Sequence, residues 1–121
     1  MKKLTCHCGV VEAEINVDGD LAKVIKCNCS ICKRKGAIMS MVKNDDFKII
    51  KGLDKLKLYQ FHSKIAKHYF CSICGIYTHH HPRSNPAMTG FNLGCLDDIN
   101  TFKLENVSIN DGMNHPLDKK K

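Results

Sequence analysis

Cys27-Asn28-Cys29-Ser30-Ile31-Cys32 places three thiols within six residues. On extended backbone Cys27 and Cys29 leave the same face, because a strand repeats every two residues. A tight turn after Cys29 brings Cys32 round to them, since residues three apart lie on one side of a helical turn. The three sulfurs then suit three corners of a zinc tetrahedron, and no fourth ligand is supplied locally. Three protein ligands with one open position is the plan of a catalytic zinc, whereas structural sites close with four.

Outward from this loop lie two further pairs, Cys6-His7-Cys8-Gly9 and Cys71-Ser72-Ile73-Cys74-Gly75. Together they make a closed four-thiol set that ties the amino terminus to the middle of the chain. Joining the 27–32 loop to one of these cysteines instead would strand an odd thiol. Gly9 and Gly75 each follow the last cysteine of a pair, where a tight knuckle wants a residue that tolerates positive φ. His7, between two ligands, is expected to point away from the metal. Seven of the eight cysteines fall in these clusters. In a reducing compartment such clusters read as chelates rather than disulfides. The eighth, Cys95, can be a fourth ligand of the second zinc, a residue lining that site, or a small buried hydrophobe, and burial near the site is the expectation. In a strand His79 and His81 share one face and His80 the other, so at most two of this run can converge on a metal.

The composition is that of a soluble globular domain, with 43% hydrophobic and 26% charged residues. No apolar run approaches the roughly 20 residues of a membrane span. Met1-Lys2-Lys3-Leu4 resembles the start of a signal peptide, but Thr5-Cys6-His7-Cys8-Gly9 stands where its apolar stretch should be. A cytoplasmic location is therefore expected. The formal net charge of +7 invites a nucleic-acid reading. Seven thiolates on two zinc dications would lower it to +4, and no aromatic-interleaved basic motif offers bases a stacking platform. A small anionic substrate suits the remaining charge as well as a polymer does.

Residues 10 to 17 alternate, with Val11, Ala13, Ile15 and Val17 on one face, as a half-buried strand does. Asp18-Gly19-Asp20 signals a turn. Further strands are expected over 21–26, 37–42, 47–50, 55–61, 67–70, 76–80, 89–93 and 102–107. No segment keeps a helical period. The fold class is mostly β: a small zinc-containing antiparallel sheet domain over residues 1–116, with a basic tail at 117–121.

The order CxCG, CxCxxC, FCxxCG and Asn92-Leu93-Gly94-Cys95-Leu96-Asp97 closely resembles the glutathione-dependent formaldehyde-activating enzyme family, which shares its domain with centromere protein V. The match runs from Thr5 to about His115. The resemblance implies a mostly antiparallel β fold with two zinc ions. It implies a structural zinc on Cys6, Cys8, Cys71 and Cys74 and a catalytic one on Cys27, Cys29 and Cys32. The activity attached to the family joins glutathione to formaldehyde as S-hydroxymethylglutathione, formally a carbon–sulfur lyase reaction. The expected partners are thus a small anionic thiol such as glutathione and an aldehyde, with no membrane and no nucleic acid. Lys33, Arg34 and Lys35 are candidates to catch a carboxylate, or are simply solvated. Asp97 and the stretch Asp111 to His115 are candidate proton carriers or pocket walls. The alternative is a non-catalytic zinc module that binds protein or nucleic acid.

Overall fold

The computed structural model describes residues 1–17, 21 and 23–114. The turn Asp18-Gly19-Asp20, His115 and the basic tail lie outside the described residues. Val11, Ala13 and Ile15 are fully buried, so the alternation seen in the sequence does select the inner face of a strand. That strand is β2, Glu12–Ile15. It pairs antiparallel on one side with β1, Lys2–Thr5, and on the other with β5, Phe47–Lys51. No pattern in the sequence announces β1, where three of four residues are polar, yet Leu4 is fully buried.

The larger sheet has seven strands: β3 (Ile25–Cys27), β4 (Met39–Lys43), β6 (Leu56–Tyr59), β7 (Lys67–Cys71), β8 (Tyr77–His81), β9 (Met88–Asn92) and β10 (Ser108–Asn110). Their order is β10-β3-β4-β9-β8-β7-β6. Leu4, Ala13 and Ile15 of the small sheet share one apolar core with Phe91, Leu93, Cys95 and Leu96 at the end of β9. Burying each Leu, Ile or Phe there stabilises the fold by about 1.5–3 kcal/mol. A second, smaller core of Cys6, Val11 and Cys71 lies where β1 and β7 end.

Two expectations are corrected. The sheet is mixed rather than purely antiparallel, because β10 runs parallel to β3 with Asn110 opposite Cys27. The strand expected over 102–107 is absent. Thr101–Lys103 is a single 3-10 turn, whose Asn100 side chain accepts from the Phe102 N–H. Asn106 then takes a left-handed φ of 58°, and pairing starts only at Ser108. Phe102 is 98% exposed, so its apolar side chain was no guide to a core position. One short helix, α1 (Ser30–Lys35), follows β3, and Gly36 ends it at φ 65°. Among the described residues no helix is long and apolar enough to cross a membrane.

Candidate functional site

Cys6 follows β1 and Cys71 ends β7, and each opens a tight knuckle. The Gly9 N–H reaches the Cys6 carbonyl at 3.2 Å, and the Gly75 N–H reaches that of Cys71 at 2.8 Å. Both glycines take the left-handed conformation the sequence asked for, at φ 81° and 77°. The sulfurs of Cys6, Cys8, Cys71 and Cys74 all lie within 4.8 Å of one another. Cys6 and Cys8 sulfurs are 3.6 Å apart, and those of Cys8 and Cys71 are 3.8 Å apart. A disulfide would need about 2 Å. A tetrahedral zinc with bonds of about 2.3 Å separates its sulfurs by about 3.8 Å, so this donor set fits such an ion. Backbone N–H groups of Val11, Ile73 and Cys74 point at Cys6 and Cys71 sulfurs at 3.4 to 3.5 Å, as thiolates favour. His7 is exposed.

The second cluster is built from β3 and α1. Cys27 ends the strand, and Cys29 is the helix N-cap, its sulfur accepting from the Cys32 N–H at 3.4 Å. Cys32 sits in the first helical turn, and the three sulfurs lie within 4.8 Å of one another. Among the described residues no fourth Cys, His, Asp or Glu joins that group. Cys27 and Cys32 cannot ionise independently. Hydrogen bonds from Cys29 and Cys32 hold the Cys27 thiol well below the usual range, while Cys27 and Cys29 push Cys32 far above it. A bound dication would relieve that competition, because metal ligands must be deprotonated together.

The stretch from Asp111, expected as a candidate pocket wall, does supply a wall through Gly112 and Met113, although nothing in the sequence placed it beside the thiols. Asn110 Nδ2 donates to Cys27 Sγ at 3.5 Å. Asn28, between two cysteines, donates to Asp111 at 3.1 Å and accepts from the Met113 N–H at 3.0 Å. A methyl group on Gly112 would stand 2.6 Å from Cys27 Sγ and 2.7 Å from Cys29 Cβ, so the missing side chain is what lets this segment close on the thiols. The parallel β10–β3 pairing is what brings Asp111-Gly112 here, and that is a long-range fact.

The three thiols open onto a cleft of about 930 Å³. Met39, Met41, His68 and His80 form part of its lining, Lys23, Lys33, Arg34 and Arg83 bring positive charge, and no Asp or Glu is among the described lining residues. The basic run after Cys32 does not act as a block. Lys33 and Arg34 are exposed, and Arg34 also donates to the Ser30 carbonyl at 2.8 Å. Lys35 turns inward, three residues from Cys32 and so on the same helix face. Its ammonium lies 2.9 Å from His68 Nδ1 and 3.6 Å from the centre of the Tyr77 ring. Burial lowers its pKa to about 8, against the opposing pull of the nearby thiols.

The remaining candidates separate cleanly. His80 lines the cleft, whereas His79 stacks on Tyr69 at 4.7 Å and packs against Phe47 on the other side of the sheet. His81 Nδ1 is 3.2 Å from the Met88 carbonyl. None of the three belongs to a thiol cluster. Cys95 belongs to the apolar core, its sulfur 3.6 Å from the Tyr77 carbonyl, and burial pushes its thiol up to about 12. It is a small buried hydrophobe. Asp97 is exposed.

Comparison with known proteins agrees with this arrangement. The model of the glutathione-dependent formaldehyde-activating enzyme family matches residues 1–109. A Fusarium vanettenii protein, provisionally named a glutathione-dependent formaldehyde-activating enzyme, is 32% identical over 79 residues. That alignment covers 62% of this chain and 42% of the relative, so the chain spans less than half of that protein's length. The crystal structure of a Rhodobacter sphaeroides protein superposes with a TM-score of 0.84 at 44% identity, covering 89% of this chain and 99% of the other. With its cysteine clusters in this fold and the family pattern spanning nearly all of it, the chain belongs to the glutathione-dependent formaldehyde-activating enzyme family.

Proposed function

We propose that the protein is a zinc-dependent carbon–sulfur lyase-type enzyme resembling S-(hydroxymethyl)glutathione synthase and acting on a thiol–aldehyde adduct. In this reading Cys6, Cys8, Cys71 and Cys74 hold a structural zinc, and Cys27, Cys29 and Cys32 hold a catalytic one. The observation that carries it is the placement of three thiols, with no fourth ligand among the described residues, on a cleft with a cationic lining. A structural site would close with four.

The reaction adds a thiol S–H across an aldehyde C=O. A sulfur–carbon bond forms, the π pair moves to oxygen, and the thiol proton ends on that oxygen. A free thiol is only a few per cent ionised at neutral pH. Zinc, when bound, would supply Lewis acidity that favours the thiolate. The chain's own residues do the rest. Lys23, Lys33 and Arg34 attract an anionic thiol, Met39 and Met41 exclude water from part of the wall, and Asn110 and Gly112 fix the positions of Cys27 and Cys29.

The test uses the zinc-loaded protein with glutathione and formaldehyde, following exchange of the hydroxymethyl carbon by NMR. Exchange should exceed the buffer rate and fall back to it in Cys29→Ser. A wild-type rate equal to buffer overturns the enzymatic reading, and tight duplex binding by the same preparation would point to the binding-module alternative.

A further inference from the structure

His68 and His80 are register partners on β7 and β8, and their rings stack at 5.6 Å with an interplanar angle of 12°. Both line the cleft, yet the residues are only 6% and 7% exposed. Space for the pair is made by Gly90, which lies opposite His80 on β9; a side chain there would meet the His80 ring and Met41 Sδ. Each ring has its Nδ1 occupied from behind. Lys35 reaches His68 Nδ1 at 2.9 Å, and an ammonium has only donors, so that nitrogen accepts. Tyr77 Oη lies 2.6 Å from His80 Nδ1 and 3.1 Å from Met39 Sδ. Sulfur is the weaker acceptor, so the phenol proton goes to the imidazole.

The Lys35 contact sets the His68 tautomer, and the shorter Tyr77 contact, at 2.6 Å against 3.1 Å to Met39 Sδ, favours the same tautomer for His80. A neutral imidazole that accepts at Nδ1 carries its proton at Nε2. Burial lowers the pKa of His68 to about 4 and that of His80 to about 3, so both rings are neutral at pH 7. No buried side-chain nitrogen among the described residues lacks a partner, and the hydrogen bonds of both rings run through Nδ1, so Nε2 is the edge that meets the cleft. The result is two N–H donors on stacked rings in adjacent strands, with an ammonium beside them and no carboxylate among the described lining residues. Two donors side by side match the two oxygens of a carboxylate better than they match a single oxygen.

We propose that His68 and His80 form a carboxylate-binding subsite of the cleft, each donating from Nε2, and that Lys35 and Tyr77 are positioning residues that hold the donor tautomers. The subsite deepens the thiol–aldehyde reading by giving the anionic end of the thiol a place distinct from the sulfur. It differs from the sequence expectation, in which Lys33, Arg34 and Lys35 were together the candidates to catch a carboxylate, or simply solvated.

The experiment is long-range ¹H–¹⁵N NMR of the imidazoles in the zinc-loaded full chain, titrated with acetate, glutathione and glutathione diethyl ester. Both rings should show protonated Nε2 and unprotonated Nδ1. Acetate and glutathione should shift both Nε2–H signals, and the diester should not. Tyr77→Phe should scramble the His80 tautomer and weaken its response to acetate several-fold while His68 keeps its own. Lys35→Met should do the reverse. A protonated Nδ1 on either ring in the wild type, or Nε2 signals indifferent to acetate, overturns the proposal. Acetate shifts in a protein that shows no hydroxymethyl exchange would leave the subsite standing and remove the thiol–aldehyde reading alone.

Discussion

The two thiol clusters use the same donor atom and are built for opposite ends. The four-thiol set joins two knuckles from distant strands, with Cys6 and Cys71 at 3% and 0% exposure and Val11 packed between them. Backbone N–H groups of Val11, Ile73 and Cys74 reach its Cys6 and Cys71 sulfurs. The three-thiol set comes from one strand end and one helical turn, faces a cleft, and is backed by Asn110, whose Nδ2 donates to Cys27 Sγ at 3.5 Å. A site that organises the chain must gather remote segments. A site that exchanges ligands must leave one direction open, and under the proposed division it can be assembled locally because the fold would not depend on it.

The sharpest way to break that contrast is to remove one sulfur from each. Cys71→Ser should abolish the cooperative thermal transition. Structural zinc is worth about 10 kcal/mol or more in small zinc domains, against a whole-domain stability of about 5–15 kcal/mol. Cys29→Ser should melt near the wild type and lose one metal by elemental analysis. Equal melting points for the two variants would erase the division.

Glycines sharpen it further. Gly112→Ala drives a methyl group into Cys27 and Cys29, and overpacking of that kind costs about 1–3 kcal/mol. Metal affinity at the three-thiol site should fall roughly 10- to 100-fold in chelator competition. Gly75→Ala meets no atom within 4 Å, but its φ of 77° is strained for a side chain. It should lower thermal stability by about 1–2 kcal/mol and leave the second site's metal affinity alone.

This contrast also shows what the sequence can disclose. Spacing revealed both clusters because their donors are paired by local geometry: knuckles, a strand end and one turn. The Val11, Ala13, Ile15 face was legible for the same reason. What stayed hidden depends on register between distant segments. Parallel β10 brings Gly112 to the thiols, and β7 sets His68 beside His80. Lys35 was misread together with Lys33 and Arg34 because only the start of α1 decides which of three adjacent side chains turns inward.

Acid provides a smaller test. Buried neutral histidines lie in the large sheet on the side of the three-thiol cleft and behind it, and none lies at the four-thiol knuckles. Burial holds His79 at about 3, below its ordinary 6.5. The folded state therefore binds fewer protons than the unfolded one between those values. Its contribution is fully present above pH 6.5 and is lost as pH falls towards 3. At pH 5 one such ring costs up to about 2 kcal/mol. His79→Phe keeps the stack on Tyr69 and should flatten the fall of denaturant midpoint between pH 7 and pH 5. A slope unchanged from wild type would mean that His79 is not neutral in the fold.

The smallest expected effect lies in the charge around the open cluster. Four thiolates on a zinc dication would leave two negative charges beside backbone N–H groups, whereas three would leave one beside an open cleft. Lys33 and Arg34 are solvent-exposed at the mouth of that cleft. At an effective dielectric of about 20 a unit pair at ~4 Å is worth about 4 kcal/mol before desolvation and side-chain entropy. Exposed pairs retain about 0–1 kcal/mol of that. Replacing both residues with alanine should therefore weaken glutathione binding only a few-fold in calorimetry. The loss should shrink as salt rises, because a Debye length near 8–10 Å screens exposed charges first. Zinc content should not change, since neither side chain is a ligand. Lys35→Met should behave differently. Its ammonium is packed over Tyr77 and against His68, so its effect should persist at high salt. If both variants lost affinity with the same salt dependence, the inward and outward lysines would be equivalent, and the buried polarity of the three-thiol side would add nothing to its surface charge.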